Sequence, residues 1–366
     1  MKITCSKSEL LTGINIALRA VPSKSTLPIL ESLLITADNE IMITSNDNDM
    51  GIKTIVEGVI AERGQIAVEA RLFSDIIRKL PENEITIEAD YNYKIHISCE
   101  DSLFQLNGNN PDEFPDLPET GATKNITVSE FTLKEMIRQT IFSIASNDAN
   151  ELMKGELFSI SGDNLKVVSL DGYRISIRNE KMALSYEDSN VIVPGKTLNE
   201  INKILNGNQD QLVELEFDKR FIKFHLSNTM VISRLIEGEF FNVEQMISSD
   251  YSTEVRVNKT DFMNNIDRAI ILTREGDKKP VILDIRDGFI NMDIHSAIGS
   301  MSSRIPANKI GNDIMIGFNP KYIMDALRVI DDEEVVMYFV NSNAPCFIRN
   351  DDVDYVYIIL PININR

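Results

Sequence analysis

Basic residues recur at two matched positions in three separate segments of the chain. These segments, residues 68–80, 193–205 and 318–330, carry apolar residues at three- and four-residue steps, which predicts a helix with one buried face. The two basic positions are seven residues apart, so they lie on the same face of the helix, about two turns from each other. In register, they hold Arg71, Lys196 and Lys321 at the first position and Arg78, Lys203 and Arg328 at the second.

The interval between the segments is constant, because Lys196 follows Arg71 by 125 residues and Lys321 follows Lys196 by the same number. On a single helix, exposed bases usually reflect only the solvated side of an amphipathic pattern. Recurrence in three copies instead favours a functional basic face. Lysine and arginine without groups that read base edges bind phosphates and carry no sequence information, so we expect salt-sensitive, sequence-independent association with nucleic acid. An acidic residue also recurs between the bases, at Asp75, Glu200 and Asp325.

A second repeated helix precedes each of these segments. These helices are predicted over residues 6–19, 129–144 and 258–272. Each starts at a residue whose side chain is a good N-cap, namely Ser6, Ser129 and Asn258. Further bases extend the basic face: Lys134 and Arg138 lie four residues apart on the middle helix, and Lys24 lies in the loop after the first helix.

Between the helices the hydrophobic period changes to two, which is typical of strands. Turn residues at Asp163-Asn164 and at Arg286-Asp287-Gly288 indicate hairpins, and therefore antiparallel sheets. The sequence thus predicts an α+β fold of three repeated domains, each with two helices packed on antiparallel sheets. Their predicted bounds are 1–120, 126–248 and 252–366, with linkers near 118–125 and 248–252.

The overall charge of the chain argues against nucleic-acid binding, although it does not exclude it. The chain of 366 residues is long enough for two or three domains, and its formal net charge is −19. A strongly acidic protein repels a polyanion at long range, unless its bases are confined to one surface. Three widely spaced cysteines without a metal-ligand pattern, no signal-peptide core and no bilayer-length apolar run predict a soluble cytoplasmic protein that does not contact membranes.

The chain offers little for catalysis. Its three histidines fall on predicted strands, and no nucleophile elbow, zinc-helix, P-loop or dinucleotide-binding motif is present. The acidic pair Asp47 and Asp49 fits a calcium loop poorly, because Ile52 stands where the turn glycine belongs. The cluster of Asp351, Asp352 and Asp354 has no such glycine either, so solvated loops are the better interpretation. We therefore predict no enzymatic activity, no cofactor and no metal.

Six short stretches resemble one family, in the family's order and over the whole chain. They are Thr26-Leu27-Pro28-Ile29-Leu30, Glu113-Phe114-Pro115, Asp171-Gly172-Tyr173-Arg174, Gly238-Glu239-Phe240, Ile316-Gly317-Phe318-Asn319 and Leu360-Pro361-Ile362. The family is the bacterial sliding clamp, the beta subunit of the replicative DNA polymerase. The resemblance implies a non-catalytic processivity factor, a head-to-tail homodimer that forms a six-domain ring around duplex DNA.

In that family, helices line the central hole and sheets form the outer wall, which would place the bases inside and the acidic surface outside. Packing distances agree with a dimer. Six helices spaced about 9 Å apart close a circle about 17 Å across at their axes, whereas twelve give about 34 Å, which leaves space for a duplex.

The resemblance also implies a pocket that receives linear peptides from the replicative polymerase, the clamp loader and repair proteins. Two positions depart from the family pattern: Phe241 replaces the usual proline, and Gln245 replaces an arginine found in many members. From the residues alone, 356–362 would be interpreted as a buried edge strand. By position, the pocket residues are Met153, Leu170, Gly172, Tyr173, Arg174, Ile175, Phe241, Gln245, Met246, Ile358, Ile359, Leu360, Pro361 and Ile362.

For the dimer seam, Ile271 and Leu272 match the family's apolar contact on the third domain. Phe104 and Leu106 are candidates on the first domain, where an edge strand could pair with the partner. The main alternative is an acidic three-repeat adaptor that binds peptides but not DNA. A metal-dependent hydrolase is a third interpretation, without a supporting motif.

Overall fold

The computed structural model describes residues 1–119, 121, 124–146, 150–247, 250–273 and 279–364. The predicted boundary residues Ser248 and Arg366, and parts of the linker 118–125, lie outside the described residues. The described chain forms two compact units: the first comprises residues 1–133 and 196–235, and the second comprises residues 134–195 and 236–366.

In the described part of the chain, six α-helices form where the two repeated patterns predict them. All three predicted N-caps are confirmed, since the side chains of Ser6, Ser129 and Asn258 each accept a backbone N–H of the first turn. The predicted ends of the first helices of each pair were too late, because 3-10 turns follow at Leu18–Ala20 and Ile141–Ser143. The helices are α1 (Lys7–Ala17), α2 (Ala70–Lys79), α3 (Glu130–Thr140), α4 (Gly195–Ile204), α5 (Lys259–Ile270) and α6 (Pro320–Val329).

The strands of the first unit form two antiparallel sheets. One has the order β5-β1-β7-β8-β9, and the other has the order β10-β13-β14-β15-β4-β3-β2-β6. The strands are β1 (Lys2–Ser6), β2 (Ser32–Ala37), β3 (Ile41–Asn46), β4 (Met50–Val56), β5 (Val59–Glu62), β6 (Gly64–Glu69), β7 (Glu84–Ala89), β8 (Lys94–Cys99), β9 (Ser102–Asn107), β10 (Lys124–Ser129), β13 (Leu212–Phe217), β14 (Phe221–Leu226) and β15 (Thr229–Arg234).

The strands of the second unit form one sheet, in the order β11-β12-β23-β22-β21-β16-β19-β18-β17-β20. They are β11 (Gly155–Leu170), β12 (Arg174–Pro194), β16 (Thr253–Asn258), β17 (Val281–Arg286), β18 (Phe289–Ser296), β19 (Gly299–Gly311), β20 (Ile314–Phe318), β21 (Glu334–Phe339), β22 (Cys346–Arg349) and β23 (Tyr355–Ile359). The antiparallel α+β architecture predicted from the sequence is therefore confirmed.

The predicted turn at Asp163-Asn164 is wrong. Both residues lie inside β11, opposite β12, where the register shifts on either side of Gly162. Gly162 has a positive φ of 58°, which lets the strand bend without reversing. The chain reverses instead at Gly172, whose φ is 86°.

The two helices of a repeat are joined by a polar contact that takes two opposite forms. In the first repeat, the ammonium of Lys7 at the start of α1 donates to the Leu80 carbonyl at 2.6 Å, and in the third Lys259 donates likewise to Ile330 at 2.7 Å. In the second repeat the same position is Glu130, which is buried and accepts the backbone N–H groups that follow α4. The lysines satisfy carbonyls at helix C-termini that would otherwise lack a partner, and Glu130 satisfies N–H groups of the chain that leaves α4.

Glu156 on β11 is a buried carboxyl group without such support. It is fully buried, and neither side-chain oxygen has a hydrogen-bond partner among the described residues. Burial raises the pKa of Glu156 to about 8. The Thr140 hydroxyl acts in the opposite direction, to lower the pKa of Glu156. It donates its hydrogen bond, however, to the Met136 carbonyl at 2.7 Å. Alternation along β11 places Glu156 on the same face as Phe158 and Ile160, so the sequence held a signal of its burial.

We expect Glu156→Gln to stabilise the protein at neutral pH. The raised pKa means that the folded state holds a proton which the unfolded chain releases. The free energy of unfolding of the wild type is therefore greatest below the unfolded pKa of this group, and it falls as pH rises towards the folded pKa near 8. Near pH 7 the free energy of unfolding of the variant should exceed that of the wild type by roughly 3 kcal/mol. Near pH 4.5 the two values should differ little. Urea unfolding at several pH values measures this.

Glu130→Gln is the matched control, because it makes the same change at a buried carboxylate that has partners. It loses charge-assisted acceptance of two backbone N–H groups and should destabilise the fold by about 1 to 3 kcal/mol. Equal pH slopes of stability in wild type and Glu156→Gln would contradict the assignment.

Candidate functional site

All six bases of the repeated helices are exposed. Arg71 and Arg78 project from α2, Lys196 and Lys203 from α4, and Lys321 and Arg328 from α6. Most apolar residues between them are buried, as the helical period predicts, although Leu72 is 49% exposed. Each helix therefore presents two bases on its solvent side.

The middle pair of bases is partly neutralised within the chain. Lys196 pairs with Asp47 in the turn between β3 and β4, and the Lys203 ammonium lies 2.7 Å from a Glu200 carboxylate oxygen. Glu200 also accepts Arg19 at 3.0 Å. Although burial acts to raise the pKa of Glu200, the hydrogen bonds from Lys203 and Arg19 bring it below its ordinary value.

The other four bases are available to a ligand. Within the described part of the chain, Arg71, Arg78, Lys321 and Arg328 make no ion pair; Arg78 only approaches the Ser74 hydroxyl, at 3.5 Å. Exposed cations without a carboxylate partner are suited to contact phosphates of any sequence.

The additional predicted bases differ in their surroundings. Lys24 is exposed in its loop, and Lys134 is half-buried on α3. The Arg138 guanidinium lies 2.5 Å from Glu135 and 2.6 Å from Asp331. A phosphate would therefore have to compete with two carboxylates for Arg138.

Part of the predicted peptide pocket lies in one apolar cluster. Met153, Ile175 and Phe241 are half-buried against a core that includes Leu170 and Ile358. Met246 and Leu360 are 49% and 41% exposed, respectively. We call the predicted pocket positions Met153, Ile175, Phe241, Met246 and Leu360 the groove, after the peptide pocket that the resemblance implies.

The turn between β11 and β12 is built by its own side chains. The Asp171 carboxylate accepts the backbone N–H groups of Tyr173 and Arg174 at 2.9 and 3.1 Å. Gly172 supplies the left-handed conformation that this turn requires. Tyr173 remains exposed, and its carbonyl accepts the Leu360 N–H at 2.9 Å, which ties the turn to the C-terminal segment.

Arg174 fixes this turn to α6. Its guanidinium donates to Asp171 at 3.0 Å, to Asp325 at 2.6 Å and to the Phe142 carbonyl at 2.6 Å. It also lies over the Tyr322 ring, 4.5 Å from the centroid, and its side chain is only 11% exposed. Arg174 was predicted as a wall of the pocket, but its guanidinium N–H groups instead hold the turn in position.

The C-terminal strand differs from the expected edge strand. β23 is buried but lies between β12 and β22 in the interior of the sheet. Ile358 packs in the cluster below the groove, whereas Ile359 points to the opposite face and packs in the core of the third repeat. Beyond the strand, Pro361 is half-buried and the Ile362 N–H donates to the Gly317 carbonyl at 2.7 Å.

The two positions that depart from the family pattern lie on one segment. The Phe241 ring packs edge-on against Phe240, with centroids 5.7 Å apart. Gln245 is exposed, and its neighbour Glu244 pairs with Lys166 of β11. Phe241 is therefore a half-buried ring that packs against the edge of the apolar cluster.

Of the candidate seam residues, Phe104 and Ile271 are exposed, whereas Leu106 and Leu272 are half-buried against their own cores. Phe104 and Leu106 lie on β9, which is an edge strand, as predicted for this segment. Ile271 follows α5 and is 73% exposed, while Leu272 is half-buried against the core of the third repeat. Leu103, 69% exposed on β9, was missed by the sequence analysis, although it adjoins a predicted edge position.

Among the described residues, a second strand edge without a partner lies beside Leu272. In β19, residues 299–306 pair with β18 on one side, and only residues 307–311 pair with β16 on the other. A Cβ at Gly299 would meet the Leu272 side chain at 3.5 Å, which places Leu272 next to this open stretch. Open backbone N–H and C=O groups favour addition of another strand.

Comparisons with known proteins agree along the whole chain. Family models for the N-terminal, central and C-terminal domains of the DNA polymerase III beta subunit match residues 1–118, 127–242 and 244–363. The beta sliding clamp of Bacillus subtilis is 33% identical over 376 aligned residues, which cover 99% of each chain.

Solved structures give the same result. A DNA polymerase III beta subunit from Eubacterium rectale superposes with a TM-score of 0.96 at 53% identity, with 100% of both chains covered. The DNA polymerase sliding clamp of Bacillus subtilis gives a TM-score of 0.95 at 32% identity, with 99% of both chains covered. In the described residues, no helix is long and apolar enough to cross a membrane. The exposed bases in register, the three repeats and these matches together place the chain in the family of DNA polymerase III beta subunits, the beta sliding clamps.

Proposed function

We propose that two copies of the chain join head to tail as a ring that encircles duplex DNA and tethers replication proteins to it. The main support for this proposal is the set of repeated bases that are exposed on three helices of an acidic chain. A ring needs no base-specific contact, because topological linkage keeps the tethered enzyme at high local concentration. Four unpaired bases per chain supply phosphate attraction without fixing the ring at one sequence.

Two open strand edges support the seam of this ring. β9 of one copy would pair with residues 299–306 of β19 in the other, while Ile271 and Leu272 bury apolar surface beside them. Head-to-tail joining of two such unlike edges closes a ring with two equivalent seams.

Loading onto DNA of different topology tests the proposal. Protein loaded onto nicked circular DNA should stay bound through gel filtration in high salt, and should be lost when the circle is cut once. Linearisation that leaves retention unchanged would contradict encirclement. Peptide binding without any DNA retention would instead favour an adaptor.

The groove would receive linear peptides from the polymerase, the clamp loader and repair proteins. Aliphatic and methionine surfaces accept apolar anchors of varied shape, and the firm turn held by Arg174 gives them a fixed wall. We expect a peptide with leucine and phenylalanine anchors to bind at micromolar strength, about −8 kcal/mol or weaker.

Phe241→Ala should weaken that peptide. The Phe241 ring is half-buried at the rim and offers contact area to a ligand if it swings aside on binding. Loss of this wall should cost about 1 kcal/mol, roughly fivefold in affinity, in calorimetry. Leu184→Ala, which removes an exposed apolar residue elsewhere on β12, should leave binding unchanged. Tighter binding by Phe241→Ala would mean that the ring blocks the groove.

A further inference from the structure

All charged residues in the segment that borders the groove are acidic. Residues 237–250 contain Glu237, Glu239, Glu244 and Asp250, and no lysine or arginine. Glu237 and Glu239 are exposed just before the two phenylalanines, and Glu244 is exposed next to Gln245 and Met246. We call residues 237–247 the acidic strap.

The cations nearest to the groove are already paired. Arg174 directs its donors at two carboxylates and a carbonyl, and Lys166 pairs with Glu244 on the strap itself. Lys154, one residue from Met153, lies 2.5 Å from Glu151. None of these three bases is left to attract an acidic ligand.

Arg349 lies too far along the sheet to change this balance. It stacks over the Tyr338 ring at 4.6 Å and is opposite Val356 in β23. Leu360 is four residues further along, roughly 13 Å away at the rise of a strand. Arg349 therefore adds no positive charge beside Leu360.

We propose that the groove selects partner peptides whose residues flanking the apolar anchors are basic or neutral, and disfavours acidic ones. This inference rests on the proposed peptide groove. An ammonium beside the anchors meets Glu239, which is exposed and makes no ion pair within the described residues, whereas a carboxylate there meets like charge. The net charge of −19 adds long-range attraction for basic segments in the same direction.

Three peptides with identical leucine and phenylalanine anchors, flanked by lysine, asparagine or aspartate, test the proposal. At low salt, affinity measured by calorimetry should fall in the order lysine, asparagine, aspartate, by roughly two- to fivefold at each step. At about 0.5 M salt the three affinities should converge, because exposed charges are screened.

Variants of the strap locate the effect. Glu244→Gln removes a carboxylate and frees Lys166, so the preference for lysine should shrink or reverse. Asp163→Asn is the matched control: it frees Lys181 elsewhere on the same pair of strands and should leave the order unchanged. Aspartate binding best to wild type would overturn the charge inference while the groove stands. If none of the three peptides binds, the groove itself and the inference both fall.

Discussion

Replacing Arg71, Arg78, Lys321 and Arg328 by glutamate should strongly weaken DNA binding at low salt while the protein remains folded and dimeric. These bases are exposed and make no ion pair within the described residues, so their loss removes phosphate contacts without breaking internal ones. A dimer would lose eight of them. Each lost phosphate contact lowers the slope of log K against log salt by about 0.9, and the combined loss should weaken duplex binding at least about 100-fold near 50 mM salt. Fluorescence anisotropy across a salt series measures both quantities.

A matched quadruple variant separates local from overall charge. Arg63, Lys94, Lys181 and Lys219 are exposed on strands and turns, and their replacement by glutamate changes the net charge equally. The exposed ion pairs of Arg63 with Asp38 and of Lys181 with Asp163 are lost as well, but exposed ion pairs contribute little to stability. Long-range repulsion alone would weaken both variants to the same extent, and that outcome would contradict a dedicated basic face. A milder internal comparison uses alanine: the pair Lys196 and Lys203, partly neutralised by Asp47 and Glu200, should matter less than Arg71 and Arg78.

The helices and the basic face could be predicted because they depend on local periodicity. Apolar residues three and four apart fix a helix face, and repetition keeps the register of the bases. The partner of Lys203 is local, since Glu200 lies three residues before it, but the partner of Lys196 could not be predicted, because it is distant in sequence. Asp47 is 149 residues from Lys196, and Asp325 is 151 residues from Arg174. Only the folded chain brings such pairs together.

The site also shows why a family pattern does not settle the role of a side chain. Arg174 occupies a pocket position, yet its guanidinium bonds to α6 and the turn. Alternation along β23 could have separated Ile358 from Ile359, because neighbouring strand residues face opposite sides.

The bend at Gly162 was mistaken for a hairpin because Asp-Asn after glycine also suits a turn. Local composition cannot distinguish a bulge from a reversal when both flanks are strand-like.

Truncating the seam should separate the ring into monomers. Ile271→Ala together with Leu272→Ala removes apolar surface at two equivalent seams, at about 2 to 5 kcal/mol for each side chain that the partner buries fully. Sedimentation at micromolar concentration should then show monomers, and retention on circular DNA should be lost. Leu272 also packs on its own core, so the double variant must be checked for folding by its thermal transition.

Two further variants make the seam prediction specific. Phe104→Ala on the opposite edge should weaken the same contact from the other side, because it acts on β9 and leaves the third repeat intact. Ile310→Ala removes a residue that is 69% exposed in the part of β19 already paired with β16, and should leave the dimer unchanged. If the double variant at 271 and 272 stays dimeric while Ile310→Ala dissociates, the seam lies further along β19 than the open edge at residues 299–306. Dissociation by Phe104→Ala and by the double variant, but not by Ile310→Ala, is the pattern that a head-to-tail seam requires, because only that seam joins β9 of one copy to the end of α5 in the other.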